Sequence, residues 1–147
     1  MKKLGLSKSL MLILFLSISF LGFGQDRIIP YSEVPAKIQG YIKNHFPSYK
    51  VIQSKVDYEG LTKEYEITLN DSIKLEFDDK NNIKSIEAKS KLPESVIPLS
   101  IREYLKNNYP NNFIIEWELK RSYQSIELDN KVELEFTLKG NFIRIDN

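Results

Sequence analysis

The sequence predicts an α+β protein made of one unit given twice, each copy a helix followed by a four-stranded antiparallel meander. Three observations predict it. Apolar residues at helical spacing end on a proline in two places, Tyr41-Ile-Lys-Asn-His-Phe-Pro47 and Tyr104-Leu-Lys-Asn-Asn-Tyr-Pro110. After each proline the apolar period changes from 3.6 to 2, the change from a helix stripe to half-buried strands. The two halves also match at fixed offsets. An offset of 63 relates Ser32, Pro35, Ile38, Tyr41, Lys43, Asn44 and Pro47 to Ser95, Pro98, Ile101, Tyr104, Lys106, Asn107 and Pro110. An offset of 59 relates Ile67, Leu69, Leu75, Glu76, Phe77, Lys80, Asn82 and Ile86 to Ile126, Leu128, Leu134, Glu135, Phe136, Lys139, Asn141 and Ile145. Identities at caps, prolines and turns mark duplication of one supersecondary unit.

The chain opens with Lys2, Lys3 and Lys8, an apolar run from Leu10 to Leu21, then Gly22 and Gly24. A basic start, a short apolar core and a small-x-small exit predict a secretory signal peptide over residues 1–24, cut between Gly24 and Gln25. The run falls short of the roughly 20 apolar residues that span a bilayer. A periplasmic or secreted protein is expected, with no membrane insertion after signal removal. Residues 25–31 are a lead-in, expected to be loosely held. The first copy is expected over residues 32–90 and the second over 91–147, as one structural domain.

Within the first copy, Ser32 is the expected N-cap and Pro35 lies in the first turn. Val34, Ile38, Tyr41, Ile42 and Phe46 form the buried stripe, and Pro47 disfavours helical geometry at Phe46. Ile52, Val56 and Tyr58 are expected to face inward on the first strand, with Gly60 at the hairpin tip. Tyr65, Ile67 and Leu69, then Ile73, Leu75 and Phe77, alternate with polar residues, and a fourth strand runs from Ile83 to Ala88. Asn70-Asp71 and Asp78 to Asn82 supply turns. The second copy repeats the plan: Ser95 caps, Pro98 opens, Pro110 stops, and strands are expected near 113–120, 123–128, 132–138 and 142–146. The drop in offset from 63 to 59 leaves the first copy four residues longer around Tyr58-Glu59-Gly60-Leu61.

Composition narrows the function. The full chain carries 21 Lys and Arg against 20 Asp and Glu. Removing residues 1–24 takes three lysines and no acid, leaving a net charge of −2, with no basic footprint for nucleic acid. The absence of cysteine excludes a disulfide framework and a lipid-anchored N-terminus. His45 is the only histidine, too few for a histidine metal cluster, and no nucleophile elbow or phosphate loop occurs. No catalytic, metal or cofactor set is therefore expected. Asp78, Asp79, Asn81 and Asn82 are oxygen-rich but lack the glycine and distal glutamate of a calcium loop, so they read as a hairpin turn. Asp71-Ser72-Ile73 fits a short O-glycosylation pattern of exported proteins, but three residues are a weak signal and a turn suffices to explain them.

The pattern of a helix ending in Phe-Pro or Tyr-Pro, then four strands, given twice after a signal peptide, resembles the PepSY-like, β-lactamase-inhibitor-like family. Val34-Pro35, Tyr41 to Pro47, Tyr65 to Leu69 and Phe77-Asp78 carry the likeness in the first copy. Leu92-Pro93, Ile97-Pro98, Tyr104 to Pro110, Val132 to Phe136 and Gly140-Asn141 carry it in the second. The resemblance implies one continuous antiparallel sheet with both helices on one face. It also implies a non-enzymatic module whose open face holds a protein or peptide. By strand phase, Glu116, Glu118, Glu127, Glu133 and Glu135 fall on the water-facing side of the second copy, while Lys55, Lys74, Glu64, Glu66 and Glu76 mix there in the first. Copy two is thus expected to show an acidic face, suited to a basic partner or simply solvated. Tyr58 and Leu61, on the long hairpin, are the candidate aromatic and apolar contacts. By phase Trp117 is expected to share a core face with Ile115 and Leu119. An extracytoplasmic protein or peptide partner is expected; an envelope sensor, or a carrier of a small ligand or cation, is the alternative. The oligomeric state is left open.

Overall fold

The computed structural model describes residues 26–59 and 61–146. The expected signal peptide, its expected cleavage site and Gly60 lie outside the described residues. Two helices, α1 (Ala36–His45) and α2 (Leu99–Asn108), accompany nine strands. These are β1 (Arg27–Ile28), β2 (Val51–Glu59), β3 (Thr62–Leu69), β4 (Lys74–Phe77), β5 (Ile83–Glu87), β6 (Ile114–Leu119), β7 (Tyr123–Leu128), β8 (Glu133–Thr137) and β9 (Phe142–Asp146). All nine form one antiparallel sheet in chain order, each strand pairing with the next. The lead-in is thus held rather than loose. Arg27 and Ile28 pair with Val56 and Lys55, the Ile29 N–H donates to the Ser54 carbonyl at 2.9 Å, and Ile29 is buried. This adds a ninth strand to the eight expected.

Each helix starts differently from the expectation. A 3-10 turn occupies Tyr31–Glu33, and the α-helix begins after Pro35, whose carbonyl accepts the N–H groups of Ile38 and Gln39. Ser32 makes no cap, nor does Ser95 in the matching turn Glu94–Val96. Proline fixes φ near the value needed to enter the helix, so it replaces the serine as the entry residue. Both helices end as expected: Phe46 N–H bonds to Ile42 O at 2.8 Å and Tyr109 N–H to Leu105 O at 2.7 Å, each one residue before proline.

One core row crosses the sheet. Ile67 opposes Leu75, Leu75 opposes Ile86, Ile86 opposes Trp117, Trp117 opposes Ile126, and Ile126 opposes Leu134. All are buried in one cluster with Ile38 and Ile42 of α1 and Ile101 and Leu105 of α2, so both helices cover this face. The two docks are the same contact made twice. Tyr41 meets Phe77 edge-on at 5.6 Å between ring centroids, and Tyr104 meets Phe136 at 5.3 Å, both at 84°.

Bulges correct two strand phases. One lies between Val51 and Gln53 on β2 and its counterpart between Ile114 and Glu116 on β6. Two residues then stand opposite one, which turns the intervening side chain aside. Ile52 is therefore 65% exposed rather than inward. Trp117 is buried as expected, but with Ile114 buried beside it, while Leu119 is exposed. The extra residues of the first copy lengthen strand rather than loop: β2 and β3 have 9 and 8 residues, β6 and β7 have 6 each.

Candidate functional site

The face away from the helices is the open one, and the register arranges its charges in two rows. The first begins at Gln53 opposite Thr68 and continues through Lys74, Glu87, Glu116, Glu127 and Glu133 to Asp146. From β5 to β9 every member is acidic, each directly opposite the next. Like charges so placed repel and destabilise the sheet. Burial and the neighbouring Glu127 carboxylate raise the pKa of Glu116, and burial with Asp146 raises that of Glu133. Cations temper the row at three points: Lys131 Nζ lies 2.7 Å from Glu127, Lys74 Nζ lies 4.0 Å from Glu87, and the Lys120 charge acts on Glu133. Glu87, Glu116, Glu127 and Lys131, with Ile115 and Asp129, line a depression of about 430 Å³ at its start.

The second row runs Lys55, Glu66, Glu76, Ser85, Glu118, Ser125, Glu135, Arg144. Here three of the four carboxylates have ion-pair partners. Lys55 meets Glu66 at 3.0 Å, Lys120 meets Glu118, and Arg144 grips Glu135 through Nε at 2.8 Å and a second nitrogen at 3.0 Å. Glu135 is only 5% exposed beneath that fork. The five glutamates expected on this face therefore divide. Glu116, Glu127 and Glu133 stand together in the predominantly acidic row; Glu118 and Glu135 stand apart in the charge-paired one. Sequence phase alone missed Glu87 and Asp146, because their membership depends on cross-strand register. The repeat offsets hold the signal in retrospect: Gln53, Thr68, Lys74 and Glu87 of the first copy correspond to Glu116, Glu127, Glu133 and Asp146.

Tyr58 and Leu61 stand at the far end of the sheet. Tyr58 is exposed with Lys63 Nζ 5.8 Å from its ring centroid, and Leu61 is fully exposed at the hairpin tip. Neither adjoins the acidic row, which begins on β5.

The remaining candidates make local contacts in turns and at the seam between the copies. Asp78 Oδ1 accepts the N–H groups of Lys80 and Asn82 at 2.9 and 2.8 Å, closing the β4–β5 turn through its own carboxylate. The His45 ring packs against Tyr41, 4.4 Å between centroids and tilted by 45°, and its Nδ1 lies 3.0 Å from Ser95 Oγ, joining the end of α1 to the start of the second copy. Asp71 and Ser72 take positive φ within the β3–β4 turn. A groove of about 510 Å³ beside α2 exposes the rims of core residues Leu92, Ile97 and Leu105, and there Glu94 is paired with Lys91 and Arg102. Among the described residues no three His, Cys, Asp or Glu side chains are arranged to hold a metal ion, and no helix is long and apolar enough to cross a membrane.

A nine-stranded antiparallel sheet, backed on one face by two equivalent helices and open on the other, defines a two-unit α+β sheet protein. The family description "putative beta-lactamase-inhibitor-like, PepSY-like" matches the sequence twice, over residues 24–85 and 63–144. The chain belongs to the PepSY-like family. A search of curated proteins finds no match. Among solved structures, one described as a putative calcium-regulated periplasmic protein from Bacteroides thetaiotaomicron is 35% identical, with a TM-score of 0.79 over 83% of this chain and 97% of that one. Two structures described as putative periplasmic proteins from Bacteroides vulgatus are 32% and 27% identical. Each has a TM-score of 0.78 over 84% of this chain, and the matches cover 98% and 100% of those chains.

Proposed function

We propose that this protein is an exported, non-enzymatic binding module whose open sheet face holds a basic segment of an extracytoplasmic protein or peptide. The observation that carries the reading is the row Glu87, Glu116, Glu127, Glu133, Asp146, acidic on five successive strands. Such a row costs stability in the free chain, and a cationic partner would relieve the repulsion. Tyr58 and Leu61 on the long hairpin supply a separate contact at the other end of the sheet, and Glu118 and Glu135 frame the acidic row from the neighbouring one. The signal-like residues 1–24, cut between Gly24 and Gln25, would deliver the protein to the periplasm or beyond. A Glu116→Lys, Glu127→Lys, Glu133→Lys variant and the unmodified protein, each immobilised, should capture different proteins from an extracytoplasmic extract. A lysine-rich peptide should bind the unmodified protein with a salt-dependent affinity and not the variant. Equal behaviour of the two proteins sinks the reading.

One observation favours a second reading, in which the row responds to a divalent cation: a relative 35% identical is described as calcium-regulated. Carboxylate oxygens are the ligands calcium takes. Calorimetric titration with Ca²⁺ separates the two, since heat that vanishes in the same triple variant supports cation binding at the row. No heat at millimolar ion removes it.

A further inference from the structure

The sheet has two ends, and they are built differently. At one end β1 covers β2: Arg27 pairs with Val56, Ile28 with Lys55, and Ile29 N–H donates to Ser54 O. At the other end β9 is the last strand among the described residues, and all five of its residues are exposed. The repeat shows what this edge lacks. Under the offset of 59, Ser85, Ile86 and Glu87 of β5 correspond to Arg144, Ile145 and Asp146 of β9. β5 is covered by β6, with Ile86 opposite Trp117, and Ile86 is 0% exposed; Ile145 is 46% exposed.

The backbone of β9 is set to receive a strand. Leu128 N–H bonds to Val132 O, which aims alternate backbone groups of β8, those of Leu134 and Phe136, at β7. Glu133 and Glu135 therefore bond to their β9 partners Asp146 and Arg144. Ile145, between those two, turns its N–H and C=O outward. In the first copy the next residue of this outward set is already bonded, Ala88 N–H to Ile115 O at 2.8 Å.

We propose that the occupant of this edge is β9 of a second copy of the chain, added antiparallel about a two-fold axis at Ile145. The sequence Arg144-Ile145-Asp146 is its own complement in that register. Ile145 meets the partner subunit's Ile145, exchanging two backbone hydrogen bonds. Arg144 meets the partner's Asp146, and Asp146 meets the partner's Arg144. Asp146 stands opposite Glu133 and has no cation in ion-pair reach among the described residues, whereas Arg144 spends only two of its five N–H donors on Glu135. The contact thus adds a directly facing cation at the end of the acidic row. The two-fold contact uses the same β9 edge on both copies, so the assembly closes as a dimer.

The chain has no cysteine, which permits a direct test. Ile145→Cys should cross-link to a disulfide dimer under mild oxidation, because paired residues on adjacent strands lie within disulfide reach. Leu61→Cys, fully exposed on the distant hairpin, should not. In sedimentation the unmodified protein should be dimeric, and Asp146→Arg should weaken the dimer by about tenfold through two like-charged contacts while leaving the circular dichroism spectrum unchanged. A protein monomeric at every concentration reached overturns the proposal, even if β9 then binds an added extended peptide. So does cross-linking of Ile145→Cys no faster than of Leu61→Cys, or a dimer that Asp146→Arg leaves intact.

Discussion

At the scale of the residue, the acidic row makes a sign-definite prediction. Glu116 and Glu133 have folded-state pKa values above the ordinary 4.5. The folded chain therefore holds these protons more tightly than the unfolded chain does. Their contribution to stability falls as pH rises from about the unfolded value through the folded one, and is regained on acidification across that window. Asp78 has the opposite sign: hydrogen bonds from Asn82 and Lys80 overcome burial and lower its pKa, so its contribution is lost as pH falls below the ordinary 3.8. Glu116→Gln removes a charge from between Glu87 and Glu127 and should stabilise the protein by about 0.5–1 kcal/mol. Thermal melts at pH 7 should show the gain, and it should shrink as the pH approaches 4.5. A second residue-level prediction concerns the one tryptophan. Trp117 Nε1–H donates to Gln124 Oε1 at 2.9 Å inside the core, and Gln124 in turn donates to Thr137 O at 3.0 Å. Gln124→Leu leaves that indole donor without its partner, while Thr137 O keeps the Gly140 N–H at 2.8 Å, at a cost of about 1–3 kcal/mol by urea titration.

At the scale of the element, each helix is held by its face and not by propensity. Ten-residue helices are too short to persist alone in water. Ile38 and Ile101 are both 0% exposed at equivalent points on the sheet. Ile38→Ala and Ile101→Ala should each cost about 2–5 kcal/mol in chemical denaturation, since each leaves a cavity under its helix. Near-equal costs are expected, because Tyr41 on Phe77 and Tyr104 on Phe136 repeat the same geometry around them. The strands show where local reading fails. Alternation placed Ile52 inward, but the β2 bulge turns it to solvent; alternation placed Trp117 with Ile115, but the β6 bulge between Ile114 and Glu116 puts Ile114 beside Trp117 instead. A bulge is set by the partner strand as well as by its own residues, so one strand's sequence does not announce it. The caps failed for another reason: Ser32 and Ser95 fit the residue preference of an N-cap, yet a 3-10 turn and a proline entry satisfy the same chain ends.

At the scale of the whole molecule, β5 and β6 join the two copies. Ile86 and Trp117 meet there, in the middle of the core row. Neither copy can bury its half of that seam alone, so the two should unfold together. Trp117 fluorescence and the circular dichroism of the whole sheet should give coincident urea transitions; separated midpoints would show that the copies are independent units. The sequence by itself determined the α+β class, the doubled unit, the helix stops at Pro47 and Pro110, most strand positions and the family. These rest on periodicity, turn residues and offsets, all of which are local or linear. Only the tertiary structure decided the ninth strand, the bulges, and the division of the open face into a charge-paired row and a predominantly acidic one. Glu87 and Asp146 entered that row, and Glu135 sank beneath Arg144, through pairing between strands. A carboxylate's environment in a sheet is fixed by what lies across the ladder, and that distance is not written along the chain.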